Sequence, residues 1–127
     1  MIINISAADL MKNELTKPDW YLATIRGLES GKTTDGTSIN YVFKVVLEAT
    51  GKEMDARFNS KALGFFEPFI EAVTGEKTDR TKPIRLDSDD YIGKKLKVKV
   101  INDTYNGRLV DKVDGYAHAT KDTSQAF

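Results

Sequence analysis

The sequence predicts a mainly β single domain, a five-stranded Greek-key barrel with one helix between the third and fourth strands. Three observations carry that expectation. Five segments rich in β-branched and aromatic residues are separated by turn signals. One segment alone shows helical periodicity, and it falls between the third strand segment and the fourth. The whole chain is 127 residues, enough for one core, with no internal repeat or linker to divide it.

Residues 1–16 read as an arm or a short helix, ended by Pro18. Residues 20–26, from Trp20 to Arg26, form the first expected strand. Residues 29–38 are polar and punctuated by glycine, a connection longer than a tight turn requires and of the kind that carries function. The second strand is expected over 39–48, a hairpin turn at Thr50-Gly51-Lys52, and the third strand over 53–59. Ser60 stands at an N-cap position, Leu63, Phe66, Phe69, Ile70 and Val73 recur at three- and four-residue spacing, and Gly75 supplies a stop. Residues 76–90 read as an exposed connection with one helical turn, begun by Asp87, Asp89 and Asp90. Strict alternation marks the fourth strand over 94–101. Asn106-Gly107 marks a hairpin loop, the fifth strand runs over 108–116, and 118–127 reads as a flexible tail. Three strands, a helix and two strands is the order of the OB-fold.

Composition narrows the function. Hydrophobic residues make up 40% of the chain and charged residues 30%, the balance of a globular protein, and no apolar run approaches the ~20 residues of a membrane helix. The first residues lack the basic and apolar regions of a secretory signal, so export is not expected. With no cysteine there is no disulfide, no thiolate nucleophile and no cysteine-ligated metal, which fits the cytoplasm. Formal net charge is zero, so bulk positive charge cannot coat duplex DNA.

Chemistry is not advertised either. Ser30-Gly31-Lys32-Thr33 has the end of a P-loop, but Arg26 stands where its first glycine belongs and no helix is expected to follow. The single histidine, His118, has no second histidine or cysteine with which to share a metal, and reads as a surface residue. The carboxylates at 87–90 lack the glycine and distal Glu of a calcium loop. No nucleophile–base pair is spaced for catalysis. A hydrolase would rest on clustered carboxylates alone, so the expectation is a protein that is not an enzyme and takes no cofactor and no metal.

Strand parity then asks whether charge is locally segregated, because alternate side chains share a face. With Phe43, Val45 and Leu47 inward, Val42, Lys44 and Val46 point outward. With Met54, Ala56 and Phe58 inward, Asp55 and Arg57 point outward, and Arg26 takes the outward parity of the first strand. Arg26, Lys44 and Arg57 therefore form a candidate track for phosphates. Trp20, Tyr41 and Tyr105 are candidate stacking platforms for bases, and Lys32 and Arg108 lie in the two loops that flank the ligand path of an OB barrel. The plainer reading is that Trp20 caps the barrel end, that Tyr41, sharing parity with Phe43, is core, and that the cations are solvated. Lys95, Lys97 and Lys99 fit that reading best, with at most an auxiliary role at phosphates.

The run Tyr91-Ile92-Gly93-Lys94-Lys95-Leu96-Lys97-Val98-Lys99-Val100, with Thr104-Tyr105-Asn106-Gly107-Arg108 and Val113-Asp114-Gly115-Tyr116, resembles a family of small bacteriophage proteins. The likeness extends over 21–25 and 62–73, most of the chain. That family consists of OB-fold single-stranded DNA-binding proteins serving phage replication and recombination. The resemblance implies sequence-nonspecific binding of single-stranded DNA in the host cytoplasm, with phage replication or recombination proteins as partners and homo-oligomers open. Many such proteins end in an acidic tail tipped with Phe that docks partner enzymes. Here the end, Lys121-Asp122-Thr123-Ser124-Gln125-Ala126-Phe127, keeps the Phe without the acidic run, which weakens the case for docking through Phe127. The alternative is an OB-fold protein–protein interaction module or subunit that binds no nucleic acid.

Overall fold

A computed structural model gives the fold and describes residues 1–6, 10 and 14–123. Residues 7–9 and 11–13 of the expected arm at 1–16, and residues 124–127 with Phe127, lie outside the described residues. Five antiparallel strands form one sheet in the order β3-β2-β1-β4-β5, with β1 Asp19–Lys32, β2 Ile39–Leu47, β3 Glu53–Asn59, β4 Lys95–Tyr105 and β5 Arg108–His118. The helix α1, Phe66–Thr74, lies between β3 and β4 in sequence, as expected. No helix among the described residues is long and apolar enough to cross a membrane.

Three elements differ from the sequence expectation. β1 is twice as long as expected, because the polar stretch around Glu29 and Ser30 continues the ladder with β2 as far as Lys32 opposite Ile39. Cross-strand pairing there outweighs the low strand propensity of Gly27 and Gly31. The true connection is 33–38, tied by Asp35, whose Oδ1 accepts from the Thr33 and Thr37 hydroxyls and the Thr37 amide. Arg26 is the extra residue of a bulge between Ile25 and Gly27, which bends the strand and leaves Arg26 exposed.

The helix also starts later than Ser60. The Ser60 hydroxyl accepts from the Ile39 amide instead, a 3-10 turn spans Leu63–Phe65, and α1 has no side-chain cap. Leu63 is consequently exposed rather than core. Gly75 does end the helix, in the left-handed conformation at φ 76°. The hairpin turn of β4 and β5 is tighter than expected, with Asn106 and Gly107 at φ 51° and 76° and both strands running up to it. The helical turn at Ser88–Asp90 is present, and the Asp87 side chain accepts from the Asp89 amide.

The inner face of the sheet follows parity. Ala23, Ile25, Phe43, Val45, Leu47, Ala56, Leu96, Val98 and Val100 are buried on it. Phe43 stands at the centre, with ring centroids 4.7 Å from Phe69 and 6.2 Å from Tyr91. Val42, expected outward, keeps that parity but is buried, flanked in the ladder by Glu29 on β1 and Arg57 on β3.

The sheet's two edges, β3 and β5, approach each other without a hydrogen-bonded ladder. At one end the Phe58 and Tyr116 rings meet at 6.1 Å, with α1 packed over them through Phe66, 4.2 Å from Phe58, and Phe69, 5.3 Å from Tyr116. At the other end the Lys52 ammonium bonds the Asp111 carboxylate across the gap. Rising from 52 to 58 on one edge matches rising from 111 to 116 on the other, so the two edges run in the same direction.

Candidate functional site

The gap between those edges is an open groove of about 890 Å³. β3 supplies one wall with Glu53, Met54, Asp55 and Arg57. The β4–β5 hairpin supplies the other with Asp103, Thr104, Tyr105, Val110, Lys112 and Val113. Period-two alternation explains why Asp55 and Arg57 project together while Met54, Ala56 and Phe58 fill the core. Tyr105 is the last residue of β4 before the Asn106-Gly107 turn, and the residue is 67% exposed.

One end of the groove is closed by a polar knot. Asp111 Oδ1 and Oδ2 accept from the Thr16 amide at 2.9 and 3.1 Å, and Asn102 Nδ2 donates to Asp111 Oδ1 and to the Thr16 carbonyl, each at 3.0 Å. Lys52 Nζ donates to Asp111 and to the Glu14 carbonyl at 2.8 Å. Burial alone would raise the Asp111 carboxyl, but the Lys52 and Thr16 hydrogen bonds outweigh it and hold the group below the ordinary aspartate value. At the helix end, burial pushes the Tyr116 hydroxyl up to about 12, which keeps it neutral.

Every cation of the groove is paired. Lys52 bonds Asp111, Lys112 lies 3.5 Å from Asp103, and Arg57 Nη2 donates to Asp55 Oδ2 at 2.8 Å. Lys44, one strand behind, donates to Asp55 Oδ1 at 2.8 Å and lies 3.9 Å from Glu29. Its ammonium is stabilised chiefly by the Asp55 hydrogen bond, which raises its pKa. Three cations and four carboxylates thus line the groove, one negative charge in excess. The exposed pairs are weak individually, each worth ~0.2–1 kcal/mol, so an incoming anion can exchange with them.

Of the residues singled out in the sequence, Arg57 and Tyr105 come together in the groove, with Lys44 joined to Arg57 through Asp55. Arg26, on its bulge, Lys32, at the end of β1, and Arg108, beside the hairpin turn, are exposed but do not line it. The expected phosphate track is therefore interrupted: two of its three cations share one carboxylate.

Tyr41 is half-buried on the core side, 6.0 Å from the Phe66 ring, and does not line the groove. Trp20 is half-buried on the outward face of β1, beside Lys99 and above Gly115, where an added Cβ would lie 3.4 Å from its ring. Its indole nitrogen is buried with no hydrogen-bond partner among the described residues. His118, expected at the surface, is half-buried against the α1 terminus at Gly75 and has Nδ1 2.7 Å from the Thr120 hydroxyl.

The residues missed from sequence are Lys52 and Asp111, whose pairing depends on β3 and β5 meeting, and Asp103 and Lys112, which pair with each other across the β4–β5 ladder. Asp55 was within reach, since it shares parity with Arg57 and sits opposite Lys44. Among the described residues no group of three or more His, Cys, Asp or Glu side chains is placed to hold a metal. The chain matches no known family model, and no curated protein matches it.

Proposed function

We propose that the protein is an OB-type barrel that binds single-stranded DNA without sequence preference, in the groove between β3 and the β4–β5 hairpin. The observation that carries the reading is Tyr105 and Arg57 lining one open groove, an exposed ring on one wall and an exposed guanidinium on the other. A ring can stack on any base, worth ~1–3 kcal/mol, and a guanidinium bonds phosphate. The barrel assignment is supported by the strand order, by the helix placed between β3 and β4, and by edges that approach in the same direction. A phage replication or recombination setting in the host cytoplasm follows from the family resemblance alone.

Because each groove cation already has a carboxylate partner, binding is expected in the micromolar range and to fall with salt. Fluorescence anisotropy of labelled oligo-dT against a duplex of equal length, at two salt concentrations, tests this. Preference for the single strand supports the reading, and silence at tens of micromolar protein overturns it. The excess of one negative charge in the groove favours a second reading, the same barrel as a protein–protein interaction module. A partner captured after nuclease treatment by a protein that does not bind DNA would establish that reading instead.

A further inference from the structure

We propose that Asp55 sets the affinity of this groove by standing where a phosphate would stand, between Lys44 and Arg57; the inference rests on the single-stranded DNA reading above. Lys44 and Asp55 are opposed in the β2–β3 ladder, and Arg57 follows Asp55 by two residues on the same face. The carboxylate uses one oxygen for each cation, Oδ1 for the Lys44 ammonium and Oδ2 for the Arg57 guanidinium, both at 2.8 Å. A phosphate offers the same two-oxygen geometry with the same sign of charge.

Asp55 also lines the groove itself, so a strand entering it meets the carboxylate directly. A phosphate that engages Arg57 or Lys44 must therefore displace Asp55 or share its cations while suffering repulsion from it. Arg57 is 68% exposed, free to swing from one acceptor to the other. Lys44 is more enclosed and keeps Glu29 at 3.9 Å, which holds the ammonium in place when Asp55 gives it up. Asp55 thus trades affinity for easy release, a property suited to a protein that must leave its strand.

The test compares wild type with Asp55→Asn, which keeps the side-chain shape and one acceptor but removes the charge. Asp89→Asn is the control, the same charge change at an exposed position outside the groove. Labelled oligo-dT is titrated at several salt concentrations. D55N is expected to bind about three- to tenfold more tightly than wild type at low salt. The slope of log affinity against log salt steepens by about one, because the freed cations now neutralise phosphates at ~0.7 each. D89N should change affinity less than about twofold.

In the Lys44→Gln/Arg57→Gln background the gain from D55N should vanish. If D55N is poorly folded by circular dichroism, Asp55→Ser serves in its place. A wild type that binds while the Asp55 variant binds no tighter overturns the inference alone, as does a gain that persists without Lys44 and Arg57. Wild type and variant both silent overturn the DNA-binding reading on which it rests.

Discussion

Replacing Asp111 by Ala removes the carboxylate that joins the two edges of the sheet. The Asp111 side chain is 4% exposed and that of Lys52 12%. Breaking a buried pair by deleting one partner costs ~3–5 kcal/mol, because the other charge is left without compensation. Lys52 keeps the Glu14 carbonyl, which moderates the loss, while the Thr16 amide and Asn102 each lose an acceptor. The expected destabilisation is therefore at the lower end, about 3 kcal/mol. With a urea dependence of ~1.5 kcal/mol per molar, the unfolding midpoint falls by about 2 M. The Lys52→Met/Asp111→Leu double variant, which removes both charges together, should recover more than half of that. The pH dependence has a definite sign. The folded Asp111 pKa is depressed, so its stabilisation is complete above the ordinary aspartate value and is lost as pH falls through the folded value. Urea unfolding followed by circular dichroism at neutral pH decides the matter: a midpoint shift below about 0.5 M for Asp111→Ala would refute the argument.

Phe43→Ala should cost about 3–5 kcal/mol by the same assay, because its ring is fully buried among Phe58, Phe66, Phe69 and Tyr91; a loss under 2 kcal/mol would contradict that packing. Gly75→Ala should destabilise by about 1–3 kcal/mol in thermal unfolding, since φ is 76° and the new Cβ would lie 2.9 Å from the His118 ring; an unchanged midpoint would argue against the left-handed cap. Glu67, bonded by Arg80 and Thr78, is held down at about 2, so its contribution persists above its ordinary value of 4.5 and is lost as pH falls toward 2. A carboxyl titration by NMR that gives a Glu67 midpoint near 4.5 would contradict that pairing. Tyr105→Ala should leave the urea midpoint unchanged and weaken oligo-dT binding by about 1–3 kcal/mol; equal binding would remove Tyr105 from the site.

The strands were legible wherever one face alone is buried. Phe43, Val45 and Leu47 announce their own periodicity, and Asn106-Gly107 announces its turn. The second half of β1 was not legible, because Gly27, Glu29, Ser30 and Gly31 have little strand propensity and are held by pairing with residues 40–44 of β2. The start of α1 misled for a related reason: Ser60 has the chemistry of a cap, but its hydroxyl is taken by the Ile39 amide across the sheet.

At the site, parity and turn chemistry located Arg57 and Tyr105, each on its own element. Parity was also right about Tyr41, whose alternation with Phe43 places it on the core side. What sequence could not supply is the groove's opposite wall. Lys52 and Asp111 are 59 residues apart, and nothing local tells either of them that β3 and β5 converge. Strand parity puts Arg57 beside Asp55, but it is register that sets Lys44 opposite Asp55 and so gives the carboxylate its second cation.

The most direct measurement is an amide chemical-shift map of the protein titrated with an oligo-dT strand. Perturbations concentrated on residues 53–57 and 103–113, with Tyr105 and Arg57 among the largest, are the predicted result. Shifts centred instead on Trp20, Lys99 and Gly115, or none at saturating oligonucleotide, would contradict the account.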